Sequence, residues 1–264
     1  MGPKTQLHVT TSCAMALRRL RLAEATRTLW VDAICIDQSS VAERNHQMTL
    51  MTRIYHAASR VIVYLGEPAL NDDSDAVMDW VQDLHAPSDR IERPIRPKQA
   101  AFQSFLGRRW FTRVWVMQEI RVAKAAIVIC GGKTISWDAF RQVKHTFSYS
   151  FRHAEPLPYT VQSLTSTETF GRYSWKPSYP VLLLRLLERT RDFDATDARD
   201  KLFAILPLLD WETQQCLKAN PDGLPSCQTQ SSVEIIRVDY SRSTAEMFTQ
   251  LSRVLIDAIG LDVL

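Results

Sequence analysis

The run "RVWVMQEI", residues 113 to 120, sets one carboxylate, Glu119, among apolar side chains. On a helix, at about 100° per residue, Glu119 falls between Trp115 and Val122 on one side and Thr112, Val116 and Ala123 on the other, in the middle of the packing face. A carboxylate placed there loses hydration, which raises its pKa unless a cation or hydrogen-bond donors compensate. Tuning of that kind equips a carboxyl for acid/base or nucleophilic work and makes Glu119 the candidate catalytic residue. The structural alternative is a buried Glu that pairs with Arg109 or Arg113 and only fixes its helix.

A second constellation lies in "WVDAICIDQ". In an open parallel sheet, ligands bind beyond the carboxyl ends of the strands, and Asp32, Asp37 and Gln38 occupy that end of a strand expected in "TLWVDAICID". Arg44, in the first turn of the next helix, faces the same edge, so the alternative is that Asp32 and Asp37 cap turns or pair with Arg44. Other motifs fall away. "CGGKT" follows a strand, but a phosphate loop of the form GxxxxGK[ST] needs Gly at position 127, which is Ile127. The histidines show neither HExxH nor a zinc-like spacing with Cys, so no metal site is expected. No GxSxG elbow occurs, and Pro3 argues against myristoylation at Gly2.

The elements that must position these groups follow from periodicity. Ala14, Leu17, Leu20 and Leu22 suggest an amphipathic helix over residues 11 to 24. "SVAE" from Ser40 to Glu43 has capping-box spacing and starts a helix carrying Met48, Met51, Ile54, Tyr55 and Ala58. "RVIVYLG" is short, β-branched and closed by Gly66, and "AAIVICGG" is a further buried strand ended by two glycines. Helices are expected near residues 74 to 84, from Pro97 to Leu106, through "RVWVMQEI", and from a Ser136 cap to about residue 146. Strand, helix, strand with a right-handed crossover predicts a parallel α/β sheet. Beyond it, "SYSFRHAEPLPYTVQSLTSTETFGRYSWKPSYP" reads as a long ordered loop or insertion. "VLLLRLLERTRD" and "DARDKLFAILPLL" read as two helices, "EIIRVDY" as a strand, and Ser243 with Glu246 as the cap of a last helix.

The chain has 264 residues, 45% of them hydrophobic, and can bury a sizeable core. Its net charge of +3 is the small difference between 32 basic and 29 acidic residues, which gives no reason to expect nucleic acid as a partner. Five cysteines without a CxxC pair fit a reducing, intracellular setting. No stretch approaches the roughly 18 apolar residues of a membrane span, and no signal-peptide core is seen. A soluble, cytoplasmic protein is expected, and the ending "GLDVL" leaves a longer parent chain open.

"LWVDAICIDQSSVAERNHQMTLMTRIYHAASRVIVYLG" resembles the first sequence block of the fungal heterokaryon incompatibility (HET) domain, of the form W-I-D-x-L/I-C-I-D/N-Q followed by E-R, M-x-x-I-Y and V-W/Y-L-G. "RRWFTRVWVMQEI" is similar to its second block, and "DARDKLFAILPLL" and "VDYSRSTAEMF" resemble segments found downstream. The resemblance implies a role in non-self recognition between fungal strains and in programmed cell death. It also implies a distant likeness to TIR domains: a flavodoxin-like parallel sheet flanked by helices over residues 1 to 146, with a mostly helical extension over residues 147 to 264 packed on that core. Some TIR domains cleave NAD at the nicotinamide glycosidic bond with a Glu in a W-x-x-x-E setting. Trp115 to Glu119 has that spacing, so the resemblance gives Glu119 the catalytic position and NAD the place of substrate, with no resident cofactor. Asp32, Asp37, Gln38, Arg44 and Trp115 then form the binding pocket. The family's opening strand, roughly A-L-S-Y-x-W-G, has no counterpart here, which is expected to leave sheet edges unpaired. Two functions stay open: a TIR-like NAD hydrolase, and a non-catalytic module that signals by associating with itself or with other incompatibility proteins.

Overall fold

In the computed structural model, which describes residues 7–68, 72–84, 97–144, 157–166, 179–211 and 236–260, short strands alternate with helices around a three-stranded sheet. The first half runs α1 (Thr11–Leu20), α2 (Asp32–Cys35), α3 (Val41–Ala57), β1 (Val61–Tyr64), α4 (Ser74–Leu84), α5 (Gln99–Leu106), a 3-10 turn (Arg109–Thr112), α6 (Val116–Arg121), β2 (Ala126–Cys130), β3 (Lys133–Ser136) and α7 (Trp137–Arg141). The second half adds α8 (Tyr159–Thr165), α9 (Tyr179–Thr190), α10 (Asp200–Phe203), a helical run over residues 206 to 211, and α11 (Thr244–Ile259). This is a mixed α/β architecture, mostly helical. No helix among the described residues is long and apolar enough to cross a membrane.

β1 and β2 pair in parallel, with Val61 opposite Ala126 and Tyr64 opposite Ile129. β3, which the sequence does not announce, returns antiparallel to β2 through the two-residue turn Gly131–Gly132, bringing Lys133 opposite Cys130. Gly131 adopts a positive φ of +54°, and a Cβ on it would meet Pro68 Cδ at 2.5 Å, so the turn excludes other residues at that position.

The strand expected in "TLWVDAICID" is not formed. Residues 28 to 31 pair with no strand, and Asp32–Cys35 is a single helical turn. The apolar side chains are used differently: Trp30 meets Tyr55 of α3 edge to face at 5.7 Å, while Asp32 Oδ1 accepts the Ala33 amide at 2.7 Å and starts the turn. The parallel pair therefore belongs to β1 and β2, which are linked by α4, α5 and α6.

Caps fix the helices that the sequence marks. Ser40 accepts the Glu43 amide at 3.2 Å, but the Glu43 carboxylate reaches the Asp37 amide at 3.0 Å and so closes the preceding loop. Ser136 caps α7 by accepting the Ala139 amide. Ser243 and Glu246 make the full reciprocal capping box of α11. In the segment read as a loop, α8 forms because Val161 and Leu164 are buried, and the hydroxyls of Ser163 and Thr165 bond to the Arg189 and Val161 carbonyls at 3.2 and 2.8 Å. Residues 236 to 239 carry no regular strand, and the first two residues of "EIIRVDY" lie outside the described residues.

One continuous apolar cluster runs from Ile36 to Leu255. At its centre Phe111 stacks on Phe140 at 5.4 Å, Trp137 stacks on Phe140 at 5.1 Å, and Trp110 meets Trp137 at 5.8 Å. Full burial of each such ring contributes about 1.5–3 kcal/mol. This aromatic stack supports the 3-10 turn and α6, which together carry Trp110, Arg113, Trp115 and Glu119.

Candidate functional site

A cleft of about 420 Å³ opens where the segment ahead of α1, α2, α3, the start of α6 and the start of α10 converge. Its volume lies within the range of small-molecule sites. α2 and the loop after it contribute Asp32, Ala33 and Gln38; α3 contributes Arg44, Met48 and Met51; the turn ahead of α6 contributes Arg113 and Trp115. Asp197, Asp200 and Tyr240 complete the wall from far downstream.

Local structure explains each placement. Arg44 lies in the first turn of α3, one residue after Glu43, so the Ser40 cap sets its direction. A backbone bridge between Arg113 and Asp194, with the Val114 amide donating to the Asp194 carbonyl at 3.0 Å, fixes the chain that carries Arg113. Trp115 is the N-cap of α6, and its indole Nε1 donates to Asp200 Oδ2 at 3.1 Å. The Tyr240 hydroxyl donates to Asp200 Oδ1. One carboxylate thus ties three chain segments together.

Tyr240 is itself held on several sides. Asn45 on α3 accepts the Tyr240 amide at 2.8 Å and donates to Asp239 at 3.3 Å. Arg199 forms a fork with Asp197 and donates to the Tyr240 and Arg242 carbonyls at 2.9 and 2.7 Å. The Arg44 guanidinium lies 4.0 Å from the Tyr240 ring centroid, a cation–π contact.

These contacts set the electrostatics. Burial pushes the Asp200 carboxyl up, against the opposing pull of its Tyr240 and Trp115 hydrogen bonds. Burial, then the hydrogen bond to Asp200, pushes the Tyr240 phenol well up, so it stays a donor. The Arg199 hydrogen bond holds Asp197 low, and Asp197 stays ionised. Among the described residues, no group of three or more His, Cys, Asp or Glu side chains is placed to hold a metal ion.

Four of the five binding residues expected from sequence, Asp32, Gln38, Arg44 and Trp115, come together in this cleft. Asp37 does not line it: its carboxylate accepts the Ser39 amide at 2.9 Å and hydroxyl at 2.6 Å, and those bonds hold its pKa low. Glu119 also stands outside the lining. It is half-buried, and its Oε2 accepts the Trp110 indole at 3.1 Å. Burial pushes the Glu119 carboxyl up, Arg113 and the Trp110 bond work the other way, and Asp32 adds to the rise. Glu119 is therefore absent from the lining but lies in the electrostatic field of two residues that line the cleft, Arg113 and Asp32.

Sequence reasoning missed Asp197, Asp200 and Tyr240, and weighed Arg113 only as a partner for Glu119. The signal for Asp200 was a charged triplet set directly against the buried "LFAILPLL" run, yet nothing local says which residues it meets.

The fold and the cleft define a mixed α/β domain with a polar, mixed-charge cleft assembled from both halves of the chain. Residues 2–119 match the sequence model of the family described as Heterokaryon incompatibility protein (HET). The chain is 27% identical over 296 residues to "Heterokaryon incompatibility protein 6, OR allele" of Neurospora crassa, an alignment covering 95% of this chain and 42% of that protein. The match to this family thus covers residues 2–119, and the chain spans less than half the length of this relative. No solved structure matches it. Asp197, Asp200 and Tyr240 lie beyond the stretch matched by the family model.

Proposed function

We propose that this chain acts in the cytoplasm in fungal non-self recognition and the programmed cell death that follows, by binding a nucleotide of the NAD class in the cleft and hydrolysing its nicotinamide glycosidic bond. The observation carrying this reading is the convergence of Asp32, Gln38, Arg44 and Trp115 on one cleft of about 420 Å³. These groups suit a nucleotide: aromatic faces for a ring, carboxylates for ribose hydroxyls and guanidinium groups for phosphates. The parallel β1–β2 pair with helices in the connection is compatible with a divergent TIR-like fold.

In the reaction, the bond from ribose C1′ to the nicotinamide nitrogen breaks, and its electron pair neutralises the pyridinium ring. Water attacks C1′, releasing a proton and giving ADP-ribose and nicotinamide. A carboxylate lowers the barrier by facing the oxocarbenium-like centre or by taking the proton from water, as carboxylates do in glycoside hydrolysis. Glu119 holds that role in this reading, and its raised pKa suits a proton acceptor. Since it does not line the cleft, it must be uncovered as the ligand enters to meet the ribose.

One observation favours a second reading. Glu119 is bonded to Trp110 and does not line the cleft, which is the position of a structural residue. On that reading the domain is non-catalytic and signals by association with a second copy or another incompatibility protein. NAD consumption by the purified chain separates the two, with Glu119→Gln as the variant and light scattering as the parallel measurement. Turnover lost in Glu119→Gln is the expected result. No turnover by a chain shown to be folded overturns the enzymatic reading, and concentration-dependent association would then support the second.

A further inference from the structure

Three arginines elsewhere in the structure are committed to carboxylates: Arg19 to Glu67, Arg108 to Asp72, and Arg199 to Asp197. The two that line the cleft beside α2 are not. Among the described residues, neither Arg44 nor Arg113 makes a side-chain hydrogen bond or ion pair, and the Arg44 Nε is buried without a partner. A guanidinium carries five N–H donors, and a buried donor left unsatisfied is costly.

The carboxylates of the same cleft are in the opposite condition. Asp197 holds the Arg199 fork, Asp200 accepts Tyr240 and Trp115, and Asp32 accepts the Ala33 amide. The cleft therefore has free capacity for hydrogen bonding on its two cations and on the second oxygen of Asp32, while Asp197 and Asp200 are engaged. The Tyr240 ring under Arg44 orients that guanidinium without using its N–H groups. The backbone bridge to Asp194 anchors Arg113 without using its side chain.

We infer that Arg44 and Arg113 form a phosphate-binding pair, and that the ligand of this cleft is recognised through a pyrophosphate-type anion held between α3 and the turn ahead of α6. The inference deepens the proposed function and rests on it for the nucleotide class of the ligand. Arg–phosphate contacts are bidentate and charge-assisted, which suits two guanidinium groups with unused donors. The arrangement has a further consequence. Arg113 is the charge that most opposes the raised pKa of Glu119. A phosphate seated on Arg113 would cancel part of that opposition, so ligand binding would push Glu119 further up.

The test is direct binding by calorimetry to the folded chain, using ADP-ribose, adenosine and inorganic pyrophosphate as probes, with Arg44→Gln and Arg113→Gln as variants. ADP-ribose is expected to bind at least about tenfold tighter than adenosine, with affinity that falls as salt is raised. Each Arg variant is expected to bring ADP-ribose down to the level of adenosine. Because Arg44 packs on Tyr240, thermal unfolding accompanies each variant, and Arg113→Gln, whose side chain makes no hydrogen bond, ion pair or ring contact among the described residues, carries the conclusion if Arg44→Gln unfolds. ADP-ribose and pyrophosphate both failing to bind the folded wild-type chain, or binding both variants as well as wild type, overturns the inference. Arg-dependent ADP-ribose binding without any NAD cleavage overturns the proposed chemistry and leaves the phosphate pair standing. NAD cleavage with an unchanged KM in both variants does the reverse.

Discussion

Replacing Tyr240 with Phe asks whether the Asp200 carboxylate is what ties the two halves of the cleft together. The change removes only a hydroxyl. The ring keeps its edge-to-face contact with Phe203 at 4.8 Å and its place under Arg44 at 4.0 Å, so packing is conserved. What is lost is the donor to Asp200 Oδ1, leaving Trp115 as the remaining donor to that carboxylate. A hydrogen bond to a charged group contributes about 1.5–3 kcal/mol. Asp200 is half-buried, and water can replace part of the lost interaction, so about 1.5–2 kcal/mol is expected. In a chain of this size that is a fall of about 3–8 °C in Tm.

The pH dependence fixes the mechanism. Burial raises the Asp200 pKa, and the Tyr240 bond pulls it down, so Tyr240→Phe raises it further. A carboxyl whose folded-state pKa lies above its unfolded value costs stability once it ionises. The cost of Tyr240→Phe is therefore full near neutral pH and shrinks as pH falls through the folded-state pKa, where Asp200 takes up its proton. Urea unfolding of both proteins near neutral pH and at about pH 4 reads the difference. A loss under about 0.5 kcal/mol at neutral pH, or an equal loss at both pH values, would refute the carboxylate as the tie.

Other perturbations follow from the same contacts. Gly131→Ala combines a left-handed backbone with a Cβ 2.5 Å from Pro68 Cδ, and should cost about 2–4 kcal/mol in chemical denaturation. Ser243→Ala removes one side of the α11 capping box and should cost about 1 kcal/mol, whereas Ser243→Asp should restore most of it. Trp110→Phe deletes the indole donor to Glu119 while leaving an aromatic ring in the stack with Phe111 and Trp137. Since that bond pulls the Glu119 pKa down, its loss should move the carboxyl up, read by carbon-13 titration of the Glu side chains. A downward or absent shift there would show that the bond does not act on Glu119.

Much of the local structure was legible in the chain. Ser40, Ser136 and Ser243 mark helix starts because a hydroxyl satisfies orphan amides within the next three residues, a relation confined to a few neighbours. β1 and β2 are legible because β-branched runs closed by glycine fit a buried strand and little else. Glu119 was correctly singled out as a carboxylate in an apolar setting, since its position on the wheel follows from helix geometry alone.

The tertiary structure decided what local signals could not. "TLWVDAICID" has the composition of a strand, but a strand also needs a partner edge, and here Trp30 packs on Tyr55 as an isolated side chain. The hairpin into β3 depended on Gly131 finding room only at a positive φ against Pro68, a contact across more than sixty positions of chain. The largest gap was the far wall of the cleft. Trp115 and Asp200 are 85 residues apart, and Asp200 and Tyr240 are 40 apart, so no periodicity connects them. The sequence by itself determined the helix caps, the existence of β1 and β2 as strands and the anomaly at Glu119, because each is written in residues within a turn or two of one another. Folding alone decided that Asp200 and Tyr240 meet Arg44 and Trp115 and that Glu119 is left out of the cleft lining, because a cleft built by long-range hydrogen bonds exists only once the chain has closed on itself.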